Sequence, residues 1–162
     1  MREWKTRTKE VAYLLNPAFC GRILYGAVKK YNEISNRAFP FPLIYLVLPL
    51  VLHKNTRRLI NSKTAMLVWV QKYPELFIGF AQRASDLVEI TNEAVELLLQ
   101  SGLLQLTNEA GLQVNKTIRT MSKTRFTDDE IKECVNKSEH VGKWFAVAGS
   151  TETIYISLGV RP

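Results

Sequence analysis

The longest apolar stretch of the chain, "FPFPLIYLVLPLVL" (residues 39–52), holds no charged side chain and three prolines, and "HKNTRRL" follows it at once. A membrane span requires about 20 apolar residues, whereas ten to fourteen is the length of a buried helix. The pattern therefore predicts a core helix starting near Pro42, where a missing N–H costs nothing. Pro49 should kink it, because its ring opposes the carbonyl of Tyr45. Upstream, Asn16 and Pro17 open a helix that runs to about Glu33. Cys20, Ile23, Leu24, Ala27, Val28 and Tyr31 recur at helical spacing, one buried stripe. Gly21 and Gly26 weaken that helix by about 1 kcal/mol each and leave room for a close neighbour.

Further along, Ser62 or Thr64 begins a helix over "TAMLVWVQKY" that Pro74 ends. "PELFIGFAQRASDLV" then carries a stripe of Leu76, Phe77, Phe80, Ala81, Ala84, Leu87 and Val88. Thr91 caps a helix over 92–101, and Gly102 stops it. Residues 103–114 read as a β-hairpin, two short apolar runs split by "TNEAG". Helix, helix, hairpin over 64–115 is the order of a winged helix. Residues 115–125 are polar, basic and aperiodic, a loop. In "FTDDEI", Thr127 and Glu130 make a capping box, with Phe126 and Ile131 as its hydrophobic staple. The helix they open reaches Ala148 through Cys134, Val141, Trp144 and Phe145. Gly149 stops it, and Ser150 caps a last helix over "TETIYISL". The expected fold is mainly α, one compact helical domain over 1–162. It comprises a winged-helix-like part (64–115), a basic loop (115–125) and a C-terminal helical part (126–162).

Charge changes this picture. The chain of 162 residues is nearly half apolar, enough for a real core. Its formal charge of +7 is uneven. Residues 1–63 carry 12 Lys/Arg against 3 Asp/Glu, residues 64–115 carry 2 against 6, and residues 116–162 carry 8 against 6. The basic third, with Arg2, Lys5, Arg7 and Lys9 at its start, implies an anionic partner: nucleic acid or an acidic protein surface. The start "MREWKTRTKE" lacks the apolar run of a signal peptide. With Cys20 and Cys134 far apart and no CxxC pair, a cytoplasmic protein with buried free thiols is expected, and no zinc site.

Chemistry is sparse. No GxxxxGK[ST] or GxGxxG cradles a phosphate, and although His140 sits beside Glu139, the neighbours of His53 and His140 offer no complete set of nucleophile, base and orienting group. Asp128, Asp129 and Glu130 resemble a metal triplet but read better as the acidic first turn of a capped helix. No cofactor, metal or catalytic residue is expected. In a winged helix the second helix usually enters the major groove. Here that helix, "NEAVELLLQS", has two glutamates and no Lys or Arg, so phosphates repel it. Candidate contacts lie elsewhere. Lys54, Arg57 and Arg58 share one helical face, and with Lys63 they could meet an acidic partner surface or a DNA backbone; the alternative is an ordinary solvated face. At the C-terminus, Trp144 leaves the core stripe that Phe145 continues. Trp144 is the candidate partner anchor, with Tyr155 and Arg161 as weaker ones; the alternative is that this end simply closes the core.

Four strings taken together, "LLNPAFCG", "LPLVLHKNTRR", "FAQRASDL" and "GKWFAVAGSTETIYISLGVRP", resemble the middle component of bacterial three-component ABC systems, which include Lamassu-type anti-phage defence. The resemblance runs from about Trp4 to Pro162. It implies a non-enzymatic accessory subunit that couples an SMC/Rad50-like ABC ATPase to an effector, often a nuclease, with DNA touched indirectly through the complex. It supplies no catalytic residue. The alternative is a nucleic-acid-binding winged-helix module that uses the basic N-terminal third.

Overall fold

The computed structural model describes residues 15–118 and 128–161. Helix α1, Pro17–Ser35, begins where Asn16 accepts a hydrogen bond from the amide of Ala18 at 2.7 Å. It ends at Asn36, which takes the left-handed conformation (φ 54°). Strand β1, Phe39–Pro40, follows, then a 3-10 turn, Phe41–Leu43, and helix α2, Ile44–Leu52. The apolar run is thus a turn and a shorter helix rather than one helix from Pro42. Pro49 sits inside α2 without ending it, and Ile44 and 46–51 are buried. Among the described residues no helix is long and apolar enough to cross a membrane.

At His53 the backbone turns to an extended conformation and helix α3, Lys54–Leu59, restarts the coil. Helix α4, Met66–Lys72, begins at Ala65, so neither Ser62 nor Thr64 is its cap. The stripe from Pro74 to Val88 is not one helix. It divides into a 3-10 turn, Pro74–Phe77, and helix α5, Phe80–Asp86, because Gly79 lies at φ 72°. Helix α6, Val88–Gln100, runs past Thr91 instead of starting there. Thr91 is fully buried, and its hydroxyl donates to the carbonyl of Leu87 at 2.8 Å. That back-bond satisfies the hydroxyl within the helix and removes its use as a cap.

The hairpin stands where the pattern predicts it: strands β2, Leu104–Leu106, and β3, Gly111–Val114, pair antiparallel. Strand β1 pairs with the other edge of β3, giving the order β1-β3-β2. A two-residue strand containing proline carries no alternation that a sequence pattern could show. Asn32 of α1 fastens this sheet. Its side chain donates to the carbonyl of Leu112 at 3.2 Å and accepts from the amide of Val114 at 3.0 Å.

Helix α7, Asp129–Val147, is capped by Asp128, whose carboxylate accepts from the amides of Glu130 and Ile131. The cap is thus one residue later than the expected box; Phe126 and Thr127 lie outside the described residues, as does 119–125 of the expected loop. Helix α8, Thr151–Ser157, starts at Ser150, whose hydroxyl accepts from the amide of Thr153 as expected.

Helix α1 is the centre of the core, with α7 and α6 packed along it and α2 and β3 completing its surround. The closest crossing joins α1 to α7. A Cβ on Gly142 would stand 2.2 Å from the carbonyl oxygen of Ala27, and one on Gly26 would stand 2.9 Å from the hydroxyl of Ser138. Gly26 thus gives the close approach its sequence suggests. Gly21 does not require it, since a Cβ there would meet Leu98 at an ordinary 3.6 Å. Both cysteines are buried in this core.

Candidate interaction surface

The four basic candidates divide by burial. Lys54, Arg58 and Lys63 are exposed, but Arg57 is only 2% exposed. Its guanidinium donates through Nε to Glu133 Oε2 at 2.9 Å and through Nη2 to Glu130 Oε1 at 2.7 Å. Nη1 donates to the carbonyls of Val51 and Leu52 at 3.0 and 3.3 Å. Burial lowers its pKa, but the hydrogen bonds to Glu133 and Glu130 outweigh this and hold it above its ordinary value. Arg57 therefore satisfies the end of α2 and ties α3 to α7; it is not part of a contact face. The turn at His53 is the physical reason. It rotates α3 so that Arg57 points back under the helix that precedes it, while Lys54 and Arg58 face outward. The signal that could have found this is the carboxylate pair on α7: Glu130 and Glu133 are one turn apart, and their partner needs to be a fork-shaped donor.

His53 itself is the cap of α3. Its Nδ1 accepts from the amide of Thr56 at 3.4 Å and lies 2.8 Å from the Thr56 hydroxyl. Burial, with Arg83 and Arg57 nearby, pushes its pKa below the usual value, and the Thr56 amide at Nδ1 favours the tautomer with its proton on Nε2. His140 is lowered too, by burial and by Lys137 and Lys143. The acids of the apparent triplet are dispersed: Asp128 caps, Glu130 binds Arg57, and Asp129 pairs with Lys132 at 3.5 Å. Cys134, beneath them, has its thiol pushed up to about 11, chiefly by burial.

The aromatic candidates are also placed inward. Trp144 is 5% exposed, its Nε1 donates to the carbonyl of Thr64 at 2.9 Å, and its ring lies 4.9 Å from that of Trp69. Trp69 in turn donates to the carbonyl of Leu59 at 2.8 Å. Trp144 leaves the α1-facing stripe, as its position requires, but a second wall built from 59–69 covers it. An α7 buried on two sides has a wider apolar arc than one stripe. Tyr155 is buried as well, and its hydroxyl donates to the carbonyl of Pro42. Of the three C-terminal candidates only Arg161 is exposed.

What stands out instead is aliphatic. Ile78 is 79% exposed, Ile156 75% and Val147 66%. Ile78 is carried on a fixed turn, because Arg83 donates to the carbonyls of Leu76 and Ile78 at 3.0 and 3.4 Å and covers the ring of Phe80 at 5.4 Å. Helix α6 presents Glu89 and Glu96 outward, and its apolar side is buried. An open recess of about 590 Å3 beside the hairpin has Arg37, Asn108 and Glu109 among its walls. Among the described residues no cluster of three or more His, Cys, Asp or Glu is placed to hold a metal ion.

Among the described residues the surface thus presents exposed charges and aliphatic side chains on short elements. Residues 4–162 match the family model described as ABC-three component (ABC-3C) system Middle Component 3, and the chain belongs to that family. No curated protein and no solved structure matches it.

Proposed function

We propose that the chain is a non-enzymatic accessory subunit that couples an SMC/Rad50-like ABC ATPase to an effector, a nuclease, in Lamassu-type defence of a bacterial cytoplasm against phage or plasmid. The observation that carries this reading is membership in a middle-component family over nearly the full chain. Exposed aliphatic residues support it, since an isoleucine on a turn clamped by Arg83 is a preorganised contact. Helix α6, with Glu89 and Glu96 facing outward, is suited to a protein partner rather than to a DNA groove.

Co-expression of the subunit with its ATPase and effector, followed by size-exclusion chromatography at low micromolar concentration and physiological salt, tests the reading. All three should co-elute. A subunit that elutes alone overturns it.

A further inference from the structure

Between Glu33 and Glu75 the chain has no acidic residue, yet it carries Arg37, Lys54, Arg57, Arg58, Lys63 and Lys72. Counter-ions for this stretch must come from elsewhere in the fold. The fold supplies Glu130 and Glu133, and both are spent on the buried Arg57. Lys54, Arg58 and Lys63 are exposed and form no ion pair among the described residues. They are also firmly placed. Lys54 and Arg58 are one turn apart on α3, which Arg57 anchors from below. Lys63 is held on the following turn by its amide, which donates to Asn61 Oδ1 at 3.1 Å. Lys137 of α7 braces the same turn through the carbonyl of Ile60.

We infer that Lys54, Arg58 and Lys63 form a contact for the phosphate backbone of duplex DNA, made by this subunit directly and without sequence preference. Charge complementarity calls for a polyanion, and the company the cations keep decides which kind. The exposed residues between them are Asn55 and Ser62, with no large apolar side chain from 54 to 63 exposed; the nearest exposed aliphatic residues in sequence, Leu67 and Val68, lie on α4. A protein partner is normally held by an apolar or aromatic centre. A DNA backbone is held by Lys, Arg, Ser and Asn on a polar surface. Side chains at i and i+4 stand about 5–6 Å apart, close enough to engage one strand, which carries a charge per about 3.4 Å of axis. The inference does not depend on the coupling role, because the isolated subunit should show it.

The experiment is fluorescence polarisation of the purified full chain with two unrelated 30-base-pair duplexes over a salt series. The two duplexes should bind alike, with affinity falling steeply as salt rises. The triple variant Lys54→Gln/Arg58→Gln/Lys63→Gln should melt as the wild type does, bind about tenfold or more weakly at low salt, and have a salt slope shallower by about 2 to 3. Lys29→Gln/Lys30→Gln, on α1, should leave binding unchanged. No binding by the wild type, or an unaltered slope in the triple variant, overturns the inference. So does a triple variant that keeps DNA binding but loses co-elution with the ATPase or effector, since the surface would then meet an acidic protein.

Discussion

Trp144 and Phe145 are adjacent and point about 100° apart, yet the structure buries both. Helical spacing shows that they face different ways; it does not show that both ways are interior. The second wall over Trp144 comes from 59–69, and nothing in the α7 sequence announces it. Arg57 is the same kind of case. Its carboxylate partners are 73 and 76 residues away, so spacing within α3 could only place it beside Lys54 and Arg58. What was legible at this scale was local: the caps at Asn16 and Ser150, and the inward stripe of α1. Trp144→Ala should therefore destabilise the free subunit by about 3 kcal/mol or more, as much as Phe145→Ala, because each leaves a large cavity. Urea unfolding of the two variants measures this. Near-wild-type stability of Trp144→Ala would mean that its ring does not close the core.

Among the elements, the long periodic ones were legible, and short ones only where a cap or a proline marks them, as Ser150 marks α8 and Pro74 ends α4. Helices α1 and α7 and the hairpin follow from spacing and turn chemistry. Helix α5 and the break at Gly79 do not, since seven residues give periodicity too few turns to register. Glycines carry the element scale most directly. Gly142 permits the α1–α7 crossing, and its added Cβ would strike backbone rather than a movable side chain. Gly142→Ala should cost about 2–3 kcal/mol by forcing the helices apart. Gly21→Ala has room and gains helix propensity, so it should stabilise by up to about 1 kcal/mol. Thermal melts of the two variants should move in opposite directions; equal shifts would mean that the helices do not meet at Gly142.

For the whole molecule, stability depends on pH through its two histidines. Both have lowered pKa values in the fold, His53 by burial and the nearby Arg83 and Arg57, His140 by burial and the nearby Lys137 and Lys143. The unfolded chain takes up protons first as pH falls through about 6.5, so stability is full above that value and declines below it. The melting temperature should fall between pH 7.5 and 5.5, and the His53→Gln/His140→Gln variant should lose less over the same range. An equal fall in both proteins would assign the effect to other groups.

The crossing of Gly26 and Ala27 with Ser138 and Gly142 also sets a timetable for synthesis. Among the described elements helix α1 is made before the others, but α7, the partner that covers it most extensively, is made after all of them except α8. At about 5–20 residues per second, the ribosome needs roughly 5–20 s to travel from the start of α1 to the start of α7. During that interval the stripe from Cys20 to Tyr31 has α2, α6 and the three-stranded sheet to shelter it among the described elements, and the side that α7 later covers lacks that helix. A messenger cut short before α7 therefore yields a sticky product rather than a smaller working subunit.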